Sequence, residues 1–187
     1  MDTLKAFSKF IDEGLIVGRL LAAYSDLELT LLQCVHATCE NFDTVYKVMF
    51  KERGETRRIN MADILGRHKY RELALGTQFE MALSSTRFCL KIRNQYAHCV
   101  WYDDYSGHLA FTDLERGTAT NDIVNDFKDL TIRHIDHATL AQQEQYFEYT
   151  DSFLKWLNIE GRRLAGKPSY PQGNAPQQMN RPPLYLS

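Results

Sequence analysis

The sequence predicts an all-α protein, an up-and-down helical bundle of about 4–6 helices with a small irregular or β-hairpin insertion near residues 102–120. Three observations carry this. Apolar residues recur at three- and four-residue steps over long stretches. Few strong breakers interrupt those stretches. Only one short segment, around 108–114, alternates as a strand does.

Taken in order, residues 12–39 form the first long helix, with Leu15, Ile16, Leu20, Tyr24, Leu27, Leu31 and Val35 as its apolar face. Gly14 and Gly18 weaken only its start. Phe42 to Phe50 is a short helix capped by Asn41. Residues 51–59 are polar and contain a glycine, which predicts a loop. Asn60 is placed to cap a helix at 61–65, with Gly66 near its end. A long helix is expected from about Tyr70 to Tyr96, facing inward through Phe79, Ala82, Phe88, Cys89, Ile92 and Tyr96. Ser84, Ser85 and Thr86 fit inside it at a modest propensity cost.

Residues 102–107 have turn composition, 108–114 fit a short strand, and 115–118 fit a second turn. Residues 121–130 are expected to form a short helix. The last long helix runs from about Leu130 to Leu164, with Leu140, Tyr146, Phe147, Phe153, Leu154, Trp156, Leu157 and Ile159 as core candidates. A single domain over 1–166 is expected, closed by Gly166. Residues 167–187 hold all 5 prolines and are expected to be a flexible tail. Tyr170, Leu184 and Tyr185 give that tail enough apolar surface to dock on its own domain or on a neighbouring subunit.

Length and composition bound the function. A chain of 187 residues suits one domain with a substantial core. The net charge of -2 argues against a non-specific duplex binder. That total conceals local differences: residues 51–71 carry +4 and 161–187 carry +4, against -8 in 101–160. The two basic segments suit an anionic partner or an ordinary solvated surface. No window of 18 apolar residues and no apolar leader occur, so a cytoplasmic protein without a membrane span is expected. Cys34, Cys39, Cys89 and Cys99 match no zinc spacing, and small buried thiols are expected. The pair Asp103 and Asp104, and the pair His134 and His137 on the last helix, are too common as patterns to predict a metal site. No cofactor is expected.

One segment gathers chemistry: Leu90-Lys91-Ile92-Arg93-Asn94-Gln95-Tyr96-Ala97-His98-Cys99-Val100-Trp101. Arg87, Lys91 and Arg93 stand in residues 84–100 with no acidic residue among them, which suits a phosphate. Histidine moves protons at cellular pH. Arginine offers a permanently charged planar fork that holds a phosphate and opposes charge building on its oxygens. Asn94 can bind the phosphate or fix the imidazole. Together these groups suit RNA cleavage by the 2′-hydroxyl, which leaves a 2′,3′-cyclic phosphate and needs no metal. Arg93 and His98 lie about 140° apart around a helix. They can converge if the helix ends or distorts near Ala97; in a symmetric dimer that pairs these helices, two Arg-His sets would instead line one groove. A capping histidine, a salt-bridged arginine and a surface asparagine account for the same residues blandly. Glu28, beside Leu27 and Leu31, is placed to reach Arg93 across the bundle or to stand exposed on its helix.

Arg93-Asn94-Gln95-Tyr96-Ala97-His98 resembles the R-polar-x-x-x-H signature of the HEPN superfamily. The form RNxxAH, followed by a hydrophobic and aromatic stretch, is especially similar to the mannitol operon repressor (MtlR-like) branch and to uncharacterised bacterial HEPN-like proteins. Residues 22–29, Ala-Ala-Tyr-Ser-Asp-Leu-Glu-Leu, resemble the first long helix of that branch. The resemblance implies a helical homodimer with the motif helices facing each other. Many members are metal-independent ribonucleases, often toxins with an antitoxin partner. By position, Arg93 would stabilise the phosphate, His98 act as acid and base, and Asn94 be the polar companion. Lys91, Arg87 and Tyr96 would meet the RNA, and Glu28 would support Arg93. The second implied reading is a non-catalytic regulatory or protein-interaction protein, with nucleotide binding in the same groove as a third. The 102–120 insertion and the tail have no counterpart in the resemblance.

Overall fold

In a computed structural model, residues 2–51, 53–114, 126 and 129–186 are described. The chain is all-α, with six helices and one small antiparallel sheet among the described residues. The order is α1 (Thr3–Lys9), α2 (Ile11–Thr38), α3 (Phe42–Lys51), α4 (Glu55–Glu72), α5 (Gly76–Ala97), β1 (Cys99–Tyr102), β2 (Leu109–Asp113), β3 (Arg133–Ile135) and α6 (His137–Leu164). The chain divides into two compact units. The first comprises residues 1–22, 91–146 and 181–187, and the second residues 23–90 and 147–180. The divide falls within α2, α5 and α6.

In the first unit the strand order is β1-β2-β3. Trp101 stands opposite Phe111, and Leu109 opposite Ile135. These four are buried, as are Ile16 and Leu20 of α2 and Ile92 and Tyr96 of α5. Burying such aromatic and aliphatic side chains is the main stabilising term of the unit. Val100, Trp101 and Tyr102 are strand-forming residue types, so the segment after the helix joins the hairpin. Asp103 and Asp104 build the turn before β2: their carboxylates accept the Tyr105 and Ser106 N–H groups at 2.9 and 3.1 Å. Asp103 also takes Lys9 at 2.6 Å, and Asp104 takes His134 at 2.7 Å. Each carboxylate of the pair therefore has its own basic side chain as partner.

Burial pushes the Asp104 carboxyl up, but hydrogen bonds from Ser106 and His134, with the His134 charge, outweigh it and hold its pKa at about 2. A depressed carboxylate pKa stabilises the fold above the ordinary value of 3.8, and that contribution disappears as pH falls through about 2. Asp104→Asn is therefore expected to flatten the loss of stability across that window, read as the unfolding midpoint against pH. A variant as acid-sensitive as the wild type would contradict this.

In the second unit α2 and α6 are joined by polar contacts. Thr30 Oγ1 donates to Asp151 Oδ1 at 3.0 Å, and the Cys34 thiol donates to the Leu154 carbonyl at 2.9 Å. All four cysteines are free thiols. Burial pushes Cys89 up to about 12, so it stays protonated. The Tyr70 hydroxyl donates to the Cys34 carbonyl at 2.8 Å, and its ring stacks on Phe79 at 4.5 Å. Gly66 lies inside α4 rather than near the end of a short helix. A Cβ there would stand 2.6 Å from Phe79 Cζ, so only glycine lets Phe79 seat against α4.

Several sequence expectations need correction. Residues 55–59 are helical, so α4 starts five residues before Asn60, which is not a cap. Asn41 does cap α3, accepting the Thr44 N–H at 3.0 Å. The helix expected from Tyr70 is two helices. The chain breaks at Ala74, with φ +59°; the Leu75 N–H bonds the Tyr70 carbonyl at 2.8 Å and the Ala74 N–H bonds the Arg71 carbonyl at 3.0 Å. This is a Schellman closure with alanine in the left-handed slot that glycine usually fills. Gly166 fills the same slot at the end of α6, with φ +69°. Ala74→Gly is expected to stabilise the protein by about 1 kcal/mol by relieving the left-handed alanine. Urea unfolding reads this, and a lower midpoint would contradict it.

The last long helix starts at His137, capped by Asp136, whose carboxylate accepts the Thr139 N–H at 2.8 Å. His134 stands on β3, so the two histidines do not share a helix. Leu15 is 57% exposed and outside the core, and Tyr170 at 79% is not docked on its own chain. The expected turn at 115–118 and most of the expected helix at 121–130 lie outside the described residues. In the tail, the Lys167 ammonium donates to the Cys39 carbonyl at 2.6 Å, and Gln172 Nε2 donates to the Trp156 carbonyl at 2.7 Å. Among the described residues no helix is long and apolar enough to cross a membrane.

Candidate functional site

The motif occupies the last turns of α5 within the first unit. Helical periodicity divides it into two faces. Ile92, Gln95 and Tyr96 turn inward and are buried. Lys91, Ala97 and His98 are exposed, with Arg93 and Asn94 half-buried between. The helix ends at Ala97 and β1 begins at Cys99, so His98 is the single residue joining them. The Cys99 thiol donates to the Tyr96 carbonyl at 3.4 Å, one of the carbonyls that the helix end leaves without a helical partner. A histidine held between a helix and a strand has little backbone freedom, which favours a preorganised site.

Arg93 Nη1 donates to Asn94 Oδ1 at 3.0 Å. This bond fixes the asparagine amide with its NH2 group as the remaining donor. The C-terminal end of a helix carries partial negative charge, so a phosphate here depends on side-chain cations. Arg93 and the exposed Lys91 supply them from the same helix. Burial and the nearby Asp113 push the Cys99 thiol up to about 12. It is therefore a protonated thiol at neutral pH and a poor nucleophile.

Other residues singled out from the sequence have different positions. Tyr96 is 2% exposed, packs against Trp101 at 5.4 Å and Phe111 at 6.1 Å, and donates its hydroxyl to Gln143 Oε1. It is a core residue, and the expectation that it meets RNA is corrected. Arg87 belongs to the second unit. It bonds Asn60 at 3.4 Å and lies 3.6 Å from Asp63, so part of its charge is engaged by α4. Glu28 is buried in the same unit, and both its oxygens accept Arg58 Nη1, at 3.1 and 2.8 Å. A buried acid needs such a partner. Arg58 sits in a segment that composition marks as a loop, so the sequence pattern does not single it out.

Sequence reasoning also missed Gln95 and Gln143. Gln95 Nε2 donates to the Leu184 carbonyl at 2.8 Å, and Gln143 Nε2 donates to the Pro183 carbonyl at 2.7 Å. The Leu186 N–H bonds the His134 carbonyl at 2.9 Å, and the Arg133 guanidinium lies 4.5 Å over the Tyr185 ring. The end of the tail thus lies on the motif helix, one residue from Asn94. The apolar Leu184 and Tyr185 closing a proline-rich run are the only signal of this in the sequence. Among the described residues no group of three or more His, Cys, Asp or Glu side chains gathers as a metal site.

The chain matches no family model, no curated protein and no solved structure.

Proposed function

We propose that the chain is a metal-independent endoribonuclease of the HEPN type that works as a homodimer. One observation carries this reading most directly. The helix stops at Ala97 and leaves an exposed His98 between helix and strand, just beyond the exposed Lys91 and the Arg93–Asn94 pair. In this reading the proton carrier and the phosphate-binding cations share one end of one helix.

In this reading, Arg93 holds the non-bridging phosphate oxygens and stabilises the charge that develops on them. His98 takes the proton from the 2′-hydroxyl as that oxygen attacks phosphorus. The bond to the 5′-oxygen breaks, and that leaving oxygen is protonated by the partner subunit's His98. The products are a 2′,3′-cyclic phosphate and a 5′-hydroxyl end, and protons balance over the cycle. Lys91 attracts the RNA, and Asn94 orients the phosphate or the imidazole.

The test is cleavage of a mixed-sequence fluorescent RNA in EDTA by wild type, H98A and R93A. Cutting by the wild type alone is the expected result. No cutting at high protein concentration, or equal cutting by all three proteins, would contradict it.

A second reading is favoured by the inward half of the motif. Tyr96 and Gln95 serve core packing and tail anchoring, which are structural tasks. A non-catalytic regulatory or interaction protein of the MtlR-like kind would keep those residues for that reason.

A further inference from the structure

A second feature lies on α3, in the second unit. Only Val45 and Met49 of this helix are buried. Phe42 and Tyr46 are each 47% exposed, although aromatic side chains this large usually find cover. Phe42, Tyr46 and Phe50 follow one another at four-residue steps along one flank. Their rings are stacked, with centroids 6.1 and 5.4 Å apart. The row continues beyond α3 at both ends. The His36 ring meets Phe42 edge-on at 5.2 Å, and the Arg58 guanidinium lies 5.1 Å over Phe50. Five planar groups from three helices therefore form one strip. Burial and the neighbouring charges of Lys167 and Arg162 keep His36 below its ordinary pKa, so at neutral pH it joins the strip as an uncharged ring.

Beside the strip runs a groove of about 470 Å³ lined by Tyr46, Lys47, Val48, Phe50 and Lys51. Lys47 bonds Asp43 at 2.7 Å, but both side chains are largely exposed. Such a pair is weak and readily exchanged for another anion. Residues 51–71 carry +4, but Arg58, Arg67, Lys69 and Arg71 are paired with carboxylates, so the positive charge lining the groove is that of Lys47 and Lys51.

We propose that this strip and groove bind single-stranded nucleic acid, with bases stacking on Phe42, Tyr46 and Phe50 and phosphates meeting Lys47 and Lys51. Aromatic platforms combined with a basic groove are the common means of holding an unpaired strand. A duplex fits less well, because its base faces are covered by neighbouring base pairs, whereas an unpaired strand can turn its bases onto aromatic side chains. A protein partner or a second copy of this chain fits less well, since lysine is depleted from protein–protein interfaces. The proposal does not depend on cleavage at His98.

The test is binding of a short, fluorescein-labelled, 2′-O-methylated oligoadenylate, which cannot be cut by its own 2′-oxygens. Fluorescence anisotropy would compare wild type, Phe42→Ala with Tyr46→Ala, and Lys47→Glu with Lys51→Glu. All the replaced side chains are exposed, and circular dichroism confirms that each variant is folded. The aromatic pair is expected to lose affinity about ten-fold or more, the size of a single base stack. The lysine pair is expected to weaken binding and to reduce its salt dependence. A duplex of the same sequence is expected to bind more weakly. Wild-type affinity in both pair variants would overturn the proposal. So would variants that instead convert a dimer to a monomer in sedimentation, which would make the strip an interface between copies.

Discussion

His98→Ala is expected to slow RNA cleavage by about a hundred- to ten-thousand-fold, the range associated with loss of a general acid or base. The same substitution is expected to cost little thermal stability, within about 1 kcal/mol, because the side chain is exposed at the end of α5. The combination is informative, since a histidine that merely capped its helix would lower stability and leave the rate alone. Arg93→Ala is expected to fall in the same range, because its charge is needed most when the phosphate oxygens gain charge. Arg93→Lys is expected to recover only part of the rate. It keeps the positive charge but loses the planar fork that holds a phosphate and Asn94 together. If Arg93→Lys and His98→Ala both cut RNA as the wild type does, the α5 terminus is not the reacting site.

Phe79→Ala is the largest stability change expected, about 3–5 kcal/mol. The ring is fully buried, stacked on Tyr70 and seated over Gly66. Its removal leaves a void among rigid helices, which relax only in part. For a protein of this size that corresponds to a fall of roughly 6–20 °C in Tm. Gly66→Ala alone is also expected to destabilise, since the new methyl would clash with the ring although alanine is the better helix former. In the Phe79→Ala background the same methyl enters the space the ring has left. The double variant is therefore expected to be more stable than the sum of the two single changes allows. Strict additivity in urea unfolding would show that Gly66 and Phe79 are not coupled.

The helices were legible where a stripe of apolar residues ran unbroken. Leu20, Tyr24, Leu27, Leu31 and Val35 marked α2, and all are buried. The break between α4 and α5 was hidden because alanine occupies the left-handed position at 74, where glycine would have announced it. The start of α4 was hidden by its charge. Glu55, Arg57 and Arg58 read as loop, yet Arg58 is needed to hold the buried Glu28. Tertiary pairing of this kind leaves no local pattern. The same holds for the tail, whose carbonyls meet Gln95 and Gln143 through contacts far apart in sequence. At the site, an end of α5 near Ala97 is one of the conditions under which Arg93 and His98 can converge, and the helix does end there. Tyr96 is ambiguous in the sequence, because an aromatic inside a motif and an aromatic in a core look alike there. Its hydroxyl partner, Gln143, decides between them.

The most direct measurement is the chemistry of the RNA ends produced in EDTA. Cleavage by 2′-hydroxyl attack predicts a 2′,3′-cyclic phosphate on one fragment and a 5′-hydroxyl on the other, both absent with Arg93→Ala and His98→Ala. Fragments bearing a 5′-phosphate, or the same ends in equal amount from the two variants, would contradict it.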